Sequence, residues 1–563
     1  MNNMQKNNLV LLSAASVLLL STSCSSKLGS LSADNFKVVP DPLEAHAGQV
    51  PATVNGMFPE KYMKKKAVVT VTPELRYGNG QVARGASATF QGEKVAGNDQ
   101  TISYAVGGNY TMKTSFKYVP EMQKSELYLT FDARVGKKAV EVPAVKVANG
   151  VVATSELCKT TVRGAQGIIA PDAFQRVTEQ KQEANIKFLI QQATLRKSEL
   201  KNNSVTEFVR LLKDINANQE GLNLNNVEIS AYASPDGGFK LNEKLANQRQ
   251  QNTEKYVRQQ LKGTQLDAPV DAGYTAQDWE GFQELVKASD IQDKDVILRV
   301  LSMYKDPEER EQQIKNISHA FRELADGILP ELRRSRLTIN YEVIGRDDEQ
   351  IMAQLASDPK QLSVEEMLYA ATLPETAAEQ EAIYKKTAEV YPGDCRAYNN
   401  IAVLEYAKGN YPEAKRYADK ARSISGSCAE ANANLGLLAL QAGDVNAAEG
   451  FIAKAVGAKG YEEALGNLHL AQGNYAQAEA DFGKTASNSA ALAQILNKNY
   501  SAAAATLGNV KNADAMTDYL KAVLNARQGN SGAAADALRS AIGKDASLAK
   551  YAANDIELKN IIK

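Results

Sequence analysis

Residues 227–261 read VEISAYASPDGGFKLNEKLANQRQQNTEKYVRQQL, and this stretch decides the fold of the middle of the chain. Its first residues alternate apolar and polar side chains, which is typical of a strand with one buried face. The next residues, Ser234-Pro235-Asp236-Gly237-Gly238, predict a tight turn, because proline presets φ and glycine tolerates positive φ. Residues 240–262 contain neither Gly nor Pro, which predicts a helix capped by Gly263.

Three residues of that helix, Asn242, Leu245 and Arg249, are spaced to lie on one side. A helix N-terminus presents free N–H groups and a positive dipole end, and an arginine fork binds carboxylates through two hydrogen bonds. The pattern therefore predicts a carboxylate-sized pocket between the turn and Arg249. The alternative is an ordinary surface strand–turn–helix unit in which Arg249 makes a simple ion pair.

The same stretch resembles the OmpA-like, peptidoglycan-associating domain family, whose pattern is roughly G-H-T-D-x-x-G followed by N-x-x-L-S-x-x-R-A. The matching residues are Ala231-Tyr232-Ala233-Ser234-Pro235-Asp236-Gly237, Asn242, Leu245, Ala246 and Arg249. Residues 186–190, 204–215 and 334–339 resemble the family's first strand, first helix and last strand. The resemblance implies an α/β sandwich over 185–347. A long helical insert at 278–330 is a departure from the compact members of the family, and Trp279 at its start is predicted to pack a helix onto the domain, with stacking on a ligand as the alternative.

In that family an aspartate and the arginine hold the diaminopimelate of the peptidoglycan stem peptide. The resemblance therefore implies that Arg249, Ser234, Asp236 and Asn242 bind the stem peptide. This chain departs from the pattern, because Ser234 stands where the family has its aspartate and Asp236 follows two residues later. Serine supplies no negative charge, so the implied contact is weaker unless Asp236 reaches the site.

Composition indicates several modules and no partner selected by overall charge. The 563 residues predict three or four domains. A formal net charge of −1 and a pI near 6.5 argue against nucleic acid as a partner. The 4 cysteines and 3 histidines are scattered along the chain, so neither a metal site nor a cofactor is expected.

The N-terminus is predicted to be a targeting segment. Residues 9–20 form an apolar run that is shorter than the ~20 residues of a membrane-spanning helix, and small residues then lead to Cys24. This order resembles a bacterial lipoprotein signal, which implies cleavage before Cys24 and a lipid anchor on its thiol. A plain secretory signal with an incidental cysteine is the alternative.

The residues that follow Cys24 bear on which membrane face the anchor would occupy. They lack the acidic patch of surface-exported lipoproteins of the Bacteroidetes type. This favours the periplasmic face of the outer membrane over the cell surface.

Residues 36–162 are predicted to form an antiparallel β-sandwich. Alternating, β-branched runs separated by Gly, Asn and Pro occur at 66–72, 100–104, 110–118 and 125–133. A spacer or docking role is favoured because no catalytic constellation occurs there. A carbohydrate-binding module is the weaker alternative, since the region contains no Trp on which a sugar could stack.

The last two hundred residues are predicted to be helical and repetitive. The motif Gly409-Asn410-Tyr411-Pro412-Glu413-Ala414 recurs 34 residues later from Gly443, and again from Gly473, Lys498 and Gly529. This period, with small residues at the helix crossings, resembles tetratricopeptide repeats. Such solenoids offer a concave face to extended peptides or partner helices, so an envelope protein is the predicted partner, with a purely structural spacer as the alternative.

Three cysteines remain after lipidation, namely Cys158, Cys395 and Cys428. Cys395 and Cys428 occupy nearly equivalent positions of successive repeats, which stack about 10 Å apart, whereas a disulfide needs Cα atoms within ~7 Å. Both a bridge and two free thiols therefore stay open. The chain has no GxxxxGK[ST], GxSxG, HExxH or CxxC motif, so no enzyme is predicted, although a hydrolase in the N-terminal domain is a remote alternative.

The predicted fold is multidomain α+β, with an N-terminal antiparallel β-sandwich, an OmpA-like α/β sandwich and a C-terminal all-α repeat solenoid. Its segments are a signal peptide over 1–23, a tether over 24–35, the β-sandwich over 36–162, a linker over 163–184, the OmpA-like domain over 185–347 with its insert at 278–330, and the repeats over 360–563. The predicted function is that of a non-enzymatic outer-membrane lipoprotein that contacts peptidoglycan and recruits a partner through its repeats. The alternative is a scaffold subunit of a secretion or surface-structure machine that has lost wall binding.

Overall fold

The computed structural model describes residues 27–291, 293–316 and 322–561, so the predicted signal peptide and Cys24 lie outside the described residues. The chain divides into two compact units: the first combines the residues up to Pro171 with those from Tyr384 onward, and the second is Asp172–Ile383. The predicted combination of sheets with a helical C-terminal region is confirmed. Within the described residues, no helix has the length and apolar character needed to cross a membrane.

The first unit begins with two larger sheets and a two-stranded sheet, and residues of all three lie in one hydrophobic core. The strands are β1 (Phe36–Val39), β2 (Leu43–Glu44), β3 (Gln49–Phe58), β4 (Ala67–Tyr77), β5 (Gln81–Arg84), β6 (Ala88–Gly92), β7 (Gln100–Ile102), β8 (Gly108–Lys117), β9 (Ser125–Val135), β10 (Lys138–Asn149) and β11 (Val151–Val152). One larger sheet has the order β1-β3-β8, the other has the order β10-β9-β4-β6-β7 with β5 paired to β4, and β2 and β11 form the two-stranded sheet. Alternate residues point inward, as β3 shows with Val50, Ala52 and Val54 in the core.

The rest of the first unit is a run of helices that pack pairwise in chain order. They are Cys395–Ala407, Tyr411–Ile424, Ala429–Ala442, Val445–Ile452, Tyr461–Ala471, Tyr475–Phe482, Asn488–Leu496, Tyr500–Asn509, Ala515–Arg527, Ser531–Lys544 and Leu548–Ala552. Small residues let the helices of a pair approach closely. A Cβ added to Gly436 would lie 2.4 Å from Cγ1 of Ile452 on the next helix, so glycine is required at that crossing.

A buried segment crosses the repeats and joins them to the sheets. It contains the helix Cys158–Thr161 and continues in non-helical backbone from 165 to 170. Leu157, Val162, Ala165 and Ile168 pack into the cores of the repeats. The predicted linker over 163–184 is therefore wrong, because its first part is core of the first unit and its last part is a strand of the second.

The second unit is built on a four-stranded sheet. Its strands are β12 (Val177–Lys187), β13 (Leu222–Tyr232), β14 (Val270–Thr275) and β15 (Arg334–Ile344), in the order β12-β15-β13-β14 with β14 parallel to β13. The helices Asn203–Ala217 and Phe239–Gly263 contribute Phe208, Leu212 and Val257 to a core shared with the sheet. The second of these helices ends at Gly263, as predicted, but its C-cap is the next residue, Thr264, with φ −97°.

The region predicted as an insert is helical and has a core of its own. Its helices are Trp279–Ala288, Lys294–Met303, Pro307–Asn316, a π-helical turn Leu324–Ile328 and Leu329–Leu332. Asp278 caps the first of them by accepting the N–H of Gly281 at 2.9 Å, and it also pairs with Arg334 at 3.3 Å. Trp279 packs edge-on against Phe282 inside the insert.

The second unit ends with helices that lie beyond the predicted domain boundary. These are Asp348–Ser357, Val364–Ala370 and the first part of Ala377–Val390. Arg346 pairs with Glu366 at 2.9 Å, and the ring of Phe174 stacks on Tyr369 with centroids 4.5 Å apart. The predicted boundaries at 347 and 360 are therefore wrong, because these contacts tie the helices to the ends of the sheet.

Candidate functional site

The predicted pocket lies between the turn after β13 and the helix Phe239–Gly263. Asn242, which is buried, donates from Nδ2 to the carbonyl oxygens of Ser234 at 2.9 Å and Gly237 at 2.8 Å. These two hydrogen bonds fix the turn against the first turn of the helix. Asn242 therefore shapes the pocket by holding its wall.

Arg249 lies beneath the turn and is 1% exposed. Its Nε donates to the carbonyl oxygen of Gln192 at 3.0 Å, Nη1 to that of Tyr232 at 2.8 Å, and Nη2 to that of Leu189 at 3.4 Å. Burial and, after it, the nearby charge of Arg333 lower the pKa of Arg249 to about 10. The guanidinium thus points toward the turn, and main-chain oxygens rather than a carboxylate surround it among the described residues.

Ser234 and Asp236 are joined to a third residue, Arg333, which lies immediately before β15. Arg333 donates from Nη2 to Asp236 at 3.0 Å and from Nε to Oγ of Ser234 at 3.2 Å. The hydroxyl of Ser234 donates to the carboxylate of Asp236. Sequence reasoning missed Arg333, although the basic run at the start of the last strand was the available signal.

These residues line a cavity of about 50 Å³. Two guanidinium groups, those of Arg249 and Arg333, face a single carboxylate, that of Asp236. Ile190 and Leu241 line the same cavity and are 58% and 46% exposed, so its mouth is apolar. The arrangement has an excess positive charge in a mostly buried setting, and such a setting favours an added carboxylate.

A second candidate site is the groove lined by the first helices of successive repeats. Asn434 accepts the N–H of Ile168 at 2.8 Å and donates to its carbonyl oxygen at 2.9 Å. Asn400 makes the same pair of bonds to Ala170, at 2.8 and 3.0 Å, and Asn399 adds a bond to Ile168. The asparagines therefore hold the main chain of Ile168 and Ala170 from the groove, while the side chain of Ile168 packs into the core of the repeats.

That groove is occupied by the chain itself. The hydroxyl of Tyr406 donates to the carbonyl oxygen of Val162 at 2.6 Å, and Ser489 bonds the hydroxyl of Thr161 at 3.0 Å. The same segment buries Ala165 and Ile168 against the repeats. The chain's own residues 161–168 therefore fill this groove.

The cysteine pair left open by the sequence is close in space but is not bonded. Cys158, Cys395 and Cys428 are all free thiols. Cys395 packs against Cys428 in a small core cluster. The neighbouring Cys428 thiol lowers the pKa of Cys395, and the neighbouring Cys395 thiol together with burial raises the pKa of Cys428. Among residues 27–291, 293–316 and 322–561, no group of three or more His, Cys, Asp or Glu is placed to hold a metal ion.

Comparison with known proteins identifies the repeats. Residues 395–425 match the sequence profile of the family described as tetratricopeptide repeat, which confirms that part of the prediction. Such repeats are generally protein-interaction modules without catalytic activity. No curated protein matches the chain.

Solved structures of repeat proteins are similar to this chain at low identity. A tetratricopeptide repeat protein from Parabacteroides merdae ATCC 43184 is 15% identical, with 45% of this chain and 98% of that chain covered and a TM-score of 0.28. YrrB, described as a TPR protein with an unusual peptide-binding site, is 17% identical over 35% of this chain and 94% of that one, with a TM-score of 0.21. A thermophilic TPR protein from Thermus thermophilus is 14% identical over 34% of this chain and 98% of that one, with a TM-score of 0.19.

Proposed function

We propose that the protein is a non-enzymatic outer-membrane lipoprotein that links the membrane to the cell wall and recruits an envelope protein. A lipid on Cys24 anchors it at the periplasmic face, and the second unit, as an OmpA-like domain, contacts the peptidoglycan stem peptide. The repeats in the first unit bind the partner through faces outside the occupied groove. Two attachments on one chain raise each other's effective concentration, so modest affinities are sufficient.

The charge imbalance at the turn is the observation that supports wall contact. Arg249 and Arg333 face Asp236 alone in a cavity of about 50 Å³. Stem peptides carry free carboxylates, which supply the missing negative charge. The excess guanidinium charge therefore selects an anionic peptide group in preference to an uncharged sugar.

A sedimentation experiment with purified sacculi tests the wall contact. The full chain in detergent is expected to sediment with sacculi, and soluble stem peptide should release it. Arg333→Gln removes one of the two positive charges of the pocket and should weaken retention, whereas Arg333→Lys keeps that charge and should not. Failure of the wild type to sediment, or equal retention by both variants, would count against the proposal.

Lipid anchoring has its own test. Cys24→Ser is expected to remove palmitate labelling and to shift the protein from the detergent phase to the aqueous phase in a phase-partition assay. Cys158→Ser is the matched control, because Cys158 lies within the described first unit as a free thiol and should leave labelling unchanged. Unchanged partitioning of Cys24→Ser would contradict the anchor.

A second candidate function is an assembly subunit of a secretion or surface-structure machine. The ion pair between Arg333 and Asp236, 3.0 Å long, favours it because the pair partly satisfies the pocket without any ligand. Crosslinking in intact cells distinguishes the two functions. Crosslinks to a protein complex combined with no sacculus retention would favour the assembly subunit.

A further inference from the structure

We infer that one end of the β-sandwich in the first unit docks on an anionic phospholipid surface, with its lysines against the head groups and Val106 between them. This end, named the basic end, consists of the strand connections 59–66, 93–99, 103–107 and 136–137. The partner is a membrane whose head groups carry negative charge. The inference rests on the proposed lipid anchor for what holds this end close to a membrane.

Main-chain hydrogen bonds hold the connections of the basic end side by side. The N–H of Gly136 donates to the carbonyl oxygen of Lys66 at 2.9 Å, and the N–H of Lys94 donates to that of Lys65 at 2.7 Å. The turn after β6 and the turn after β9 are thus both fixed to the segment that precedes β4. Lysines that lie far apart in the sequence therefore share one surface.

The basic end carries a surplus of positive charge. Its exposed lysines are Lys61, Lys65, Lys66, Lys94, Lys137 and Lys138. Lys61 pairs with Glu60, and Lys65 lies 4.0 Å from Glu93, whereas the other four form no ion pair with any residue that the structure describes. A lysine held close to an anionic membrane strengthens binding roughly fivefold, so four such lysines favour a negatively charged lipid surface.

An apolar side chain lies at the same end. The carbonyl oxygen of Tyr104 accepts the N–H of Lys61 at 2.7 Å, which fixes the turn 103–107 against the segment after β3. Val106 lies in this turn and is 80% exposed. In water this exposure stabilises nothing, whereas at a lipid interface an apolar side chain enters the boundary between head groups and acyl chains. Lysines around an exposed valine are therefore suited to a membrane surface.

The chain enters the sandwich at the basic end. β1 begins with Phe36, which pairs with Gly56 close to the point where β3 ends. Leu28 and Leu31, which precede β1, are buried in the core of the sandwich. Leu28 follows Cys24 by four positions, and an extended chain of that length spans at most about 14 Å. A lipid on Cys24 would therefore hold the sandwich against the membrane.

The opposite end of the sandwich is covered by the repeat region. β10 runs from Lys138 at the basic end to Asn149 at the opposite end. A Cβ added to Gly150, the next residue, would lie 2.8 Å from Cδ1 of Ile556, which follows the last repeat helix. Of the two ends, the basic end is thus the one that this contact leaves free for a membrane.

Vesicle binding by the full chain carrying Cys24→Ser tests the inference in the absence of the lipid. Vesicles of phosphatidylcholine alone are compared with vesicles of equal parts phosphatidylcholine and phosphatidylglycerol. The chain is expected to bind the anionic vesicles about tenfold more tightly, or better, at about 0.1 M salt. This preference should disappear at about 1 M salt, where the Debye length is only about 3 Å.

A fourfold lysine variant locates the binding surface. Replacement of Lys66, Lys94, Lys137 and Lys138 by glutamine should remove the preference for anionic vesicles. The matched control replaces four exposed lysines of the repeats by glutamine, namely Lys454, Lys459, Lys484 and Lys511. It changes the net charge equally and should bind like the parent chain.

Circular dichroism of each lysine variant checks the fold. An equal loss of binding in both fourfold variants, or no preference of the folded parent chain for anionic vesicles, would overturn the inference. Lysine-dependent, saturable binding of soluble glycerol phosphate would also overturn it, because it would indicate a small-anion site in place of a membrane surface.

Val106→Asn tests the apolar contact at unchanged charge and should weaken vesicle binding several-fold. Val82→Asn is the control, since Val82 is 44% exposed on β5, which pairs with the far end of β4. Equal binding by the two valine variants would refute the placement of Val106 among the head groups.

Palmitate labelling separates this outcome from that of the proposed function. Labelled wild type, combined with no preference of the Cys24→Ser chain for anionic vesicles, would refute the inference and leave the anchor standing. A lysine-dependent preference without labelling at Cys24 would refute the anchor and support the basic end as a membrane surface.

Discussion

The side-chain amide of Asn434 donates to the main-chain carbonyl oxygen of Ile168 at 2.9 Å, although 266 positions separate the two residues. The same amide group accepts the N–H of Ile168, so it pairs with that residue as a neighbouring strand would. The bond links the end of the sheet region to the repeats. The stability of the first unit is therefore expected to depend on a few buried asparagines.

Asn434→Ala is predicted to lower the free energy of unfolding of the first unit by about 2–3 kcal/mol, because it leaves buried main-chain groups of Ile168 without partners. Urea unfolding measures the loss, and hydrogen exchange should show faster exchange of the Ile168 amide. Asn509→Ala is the control, since Asn509 is exposed and bonds within its own helix. If the Ile168 amide stayed fully protected from hydrogen exchange in Asn434→Ala, the stabilising role of the Asn434 hydrogen bonds would be contradicted.

Gly167→Ala is predicted to destabilise the first unit by about 1–3 kcal/mol through overpacking. A Cβ at this position would lie 2.8 Å from Cγ1 of Val403, whereas one at Gly164 would meet nothing within 4 Å. Gly164→Ala is therefore the matched control. The double variant Gly167→Ala/Val403→Ala should recover part of the loss in thermal unfolding, and strictly additive effects would argue against the contact.

Arg249→Ala is predicted to cost about 3–5 kcal/mol of stability in the second unit, because three carbonyl oxygens lose their donor. Urea unfolding followed by circular dichroism is the measurement. Arg258→Ala, which removes an exposed ion pair, should stay within about 0.5 kcal/mol of the wild type. Loss of sacculus retention in Arg249→Ala would then reflect unfolding of the second unit. An Arg249→Ala protein as stable as the wild type would refute the structural role of Arg249.

Cys395 and Cys428 are predicted to form a disulfide under mild oxidation, because the two free cysteines pack in the same small core cluster. Closing this loop should stabilise the repeats by about 3–4 kcal/mol in the chain-entropy description. Alkylation of free thiols followed by mass spectrometry detects the bond. Cys158 should stay reduced, since burial raises its pKa to about 12, and persistent alkylation of both Cys395 and Cys428 after oxidation would contradict the prediction.

The Asp555→Asn variant is predicted to gain stability against unfolding, relative to the wild type, as the pH rises. Burial raises the pKa of Asp555, whose carboxylate accepts the hydroxyl of Tyr519 at 2.6 Å. The folded protein therefore holds this proton more tightly than the unfolded chain, and stability falls as the pH rises from about 3.9 through the raised pKa. Asparagine does not titrate, so the loss is absent in the variant.

Unfolding midpoints in urea at pH 4 and pH 7 measure this difference. Asn509→Ala is the control, since it removes an exposed side chain that carries no ionisable group, and its difference from the wild type should be the same at both pH values. A constant difference for Asp555→Asn would mean that the buried carboxyl does not titrate in this window.

Local patterns predicted local structure well. The 34-residue period and its small residues predicted the repeats, because each repeat folds against its neighbours in sequence. The alternation before Ser234 and the run without Gly or Pro after it predicted the strand and the helix that carries Arg249. These features depend on neighbours a few residues away, and the sequence displays them directly.

Long-range packing could not be predicted in the same way. Gly164, Gly167 and Pro171 are typical of a linker, yet Gly167 is small because the segment passes against Val403. Arg333 joins the site through strand order, which places the start of β15 beside the end of β13. Neither contact leaves a periodic signal, since its two sides lie far apart in the sequence.

The chain leaves the first unit at Pro171 and returns to it at Tyr384, so the second unit is a guest inserted into a host made of two pieces. After a protease cut within the second unit, the two pieces of the first unit would stay together through the hydrogen bonds of Asn434 to Ile168 and the buried segment 162–168. A recombinant fragment that stopped before the repeats would expose the apolar side chains of segment 162–168 and is therefore expected to self-associate. Fragments for separate study should therefore follow the boundaries of the two units, so that the first unit keeps both of its chain segments.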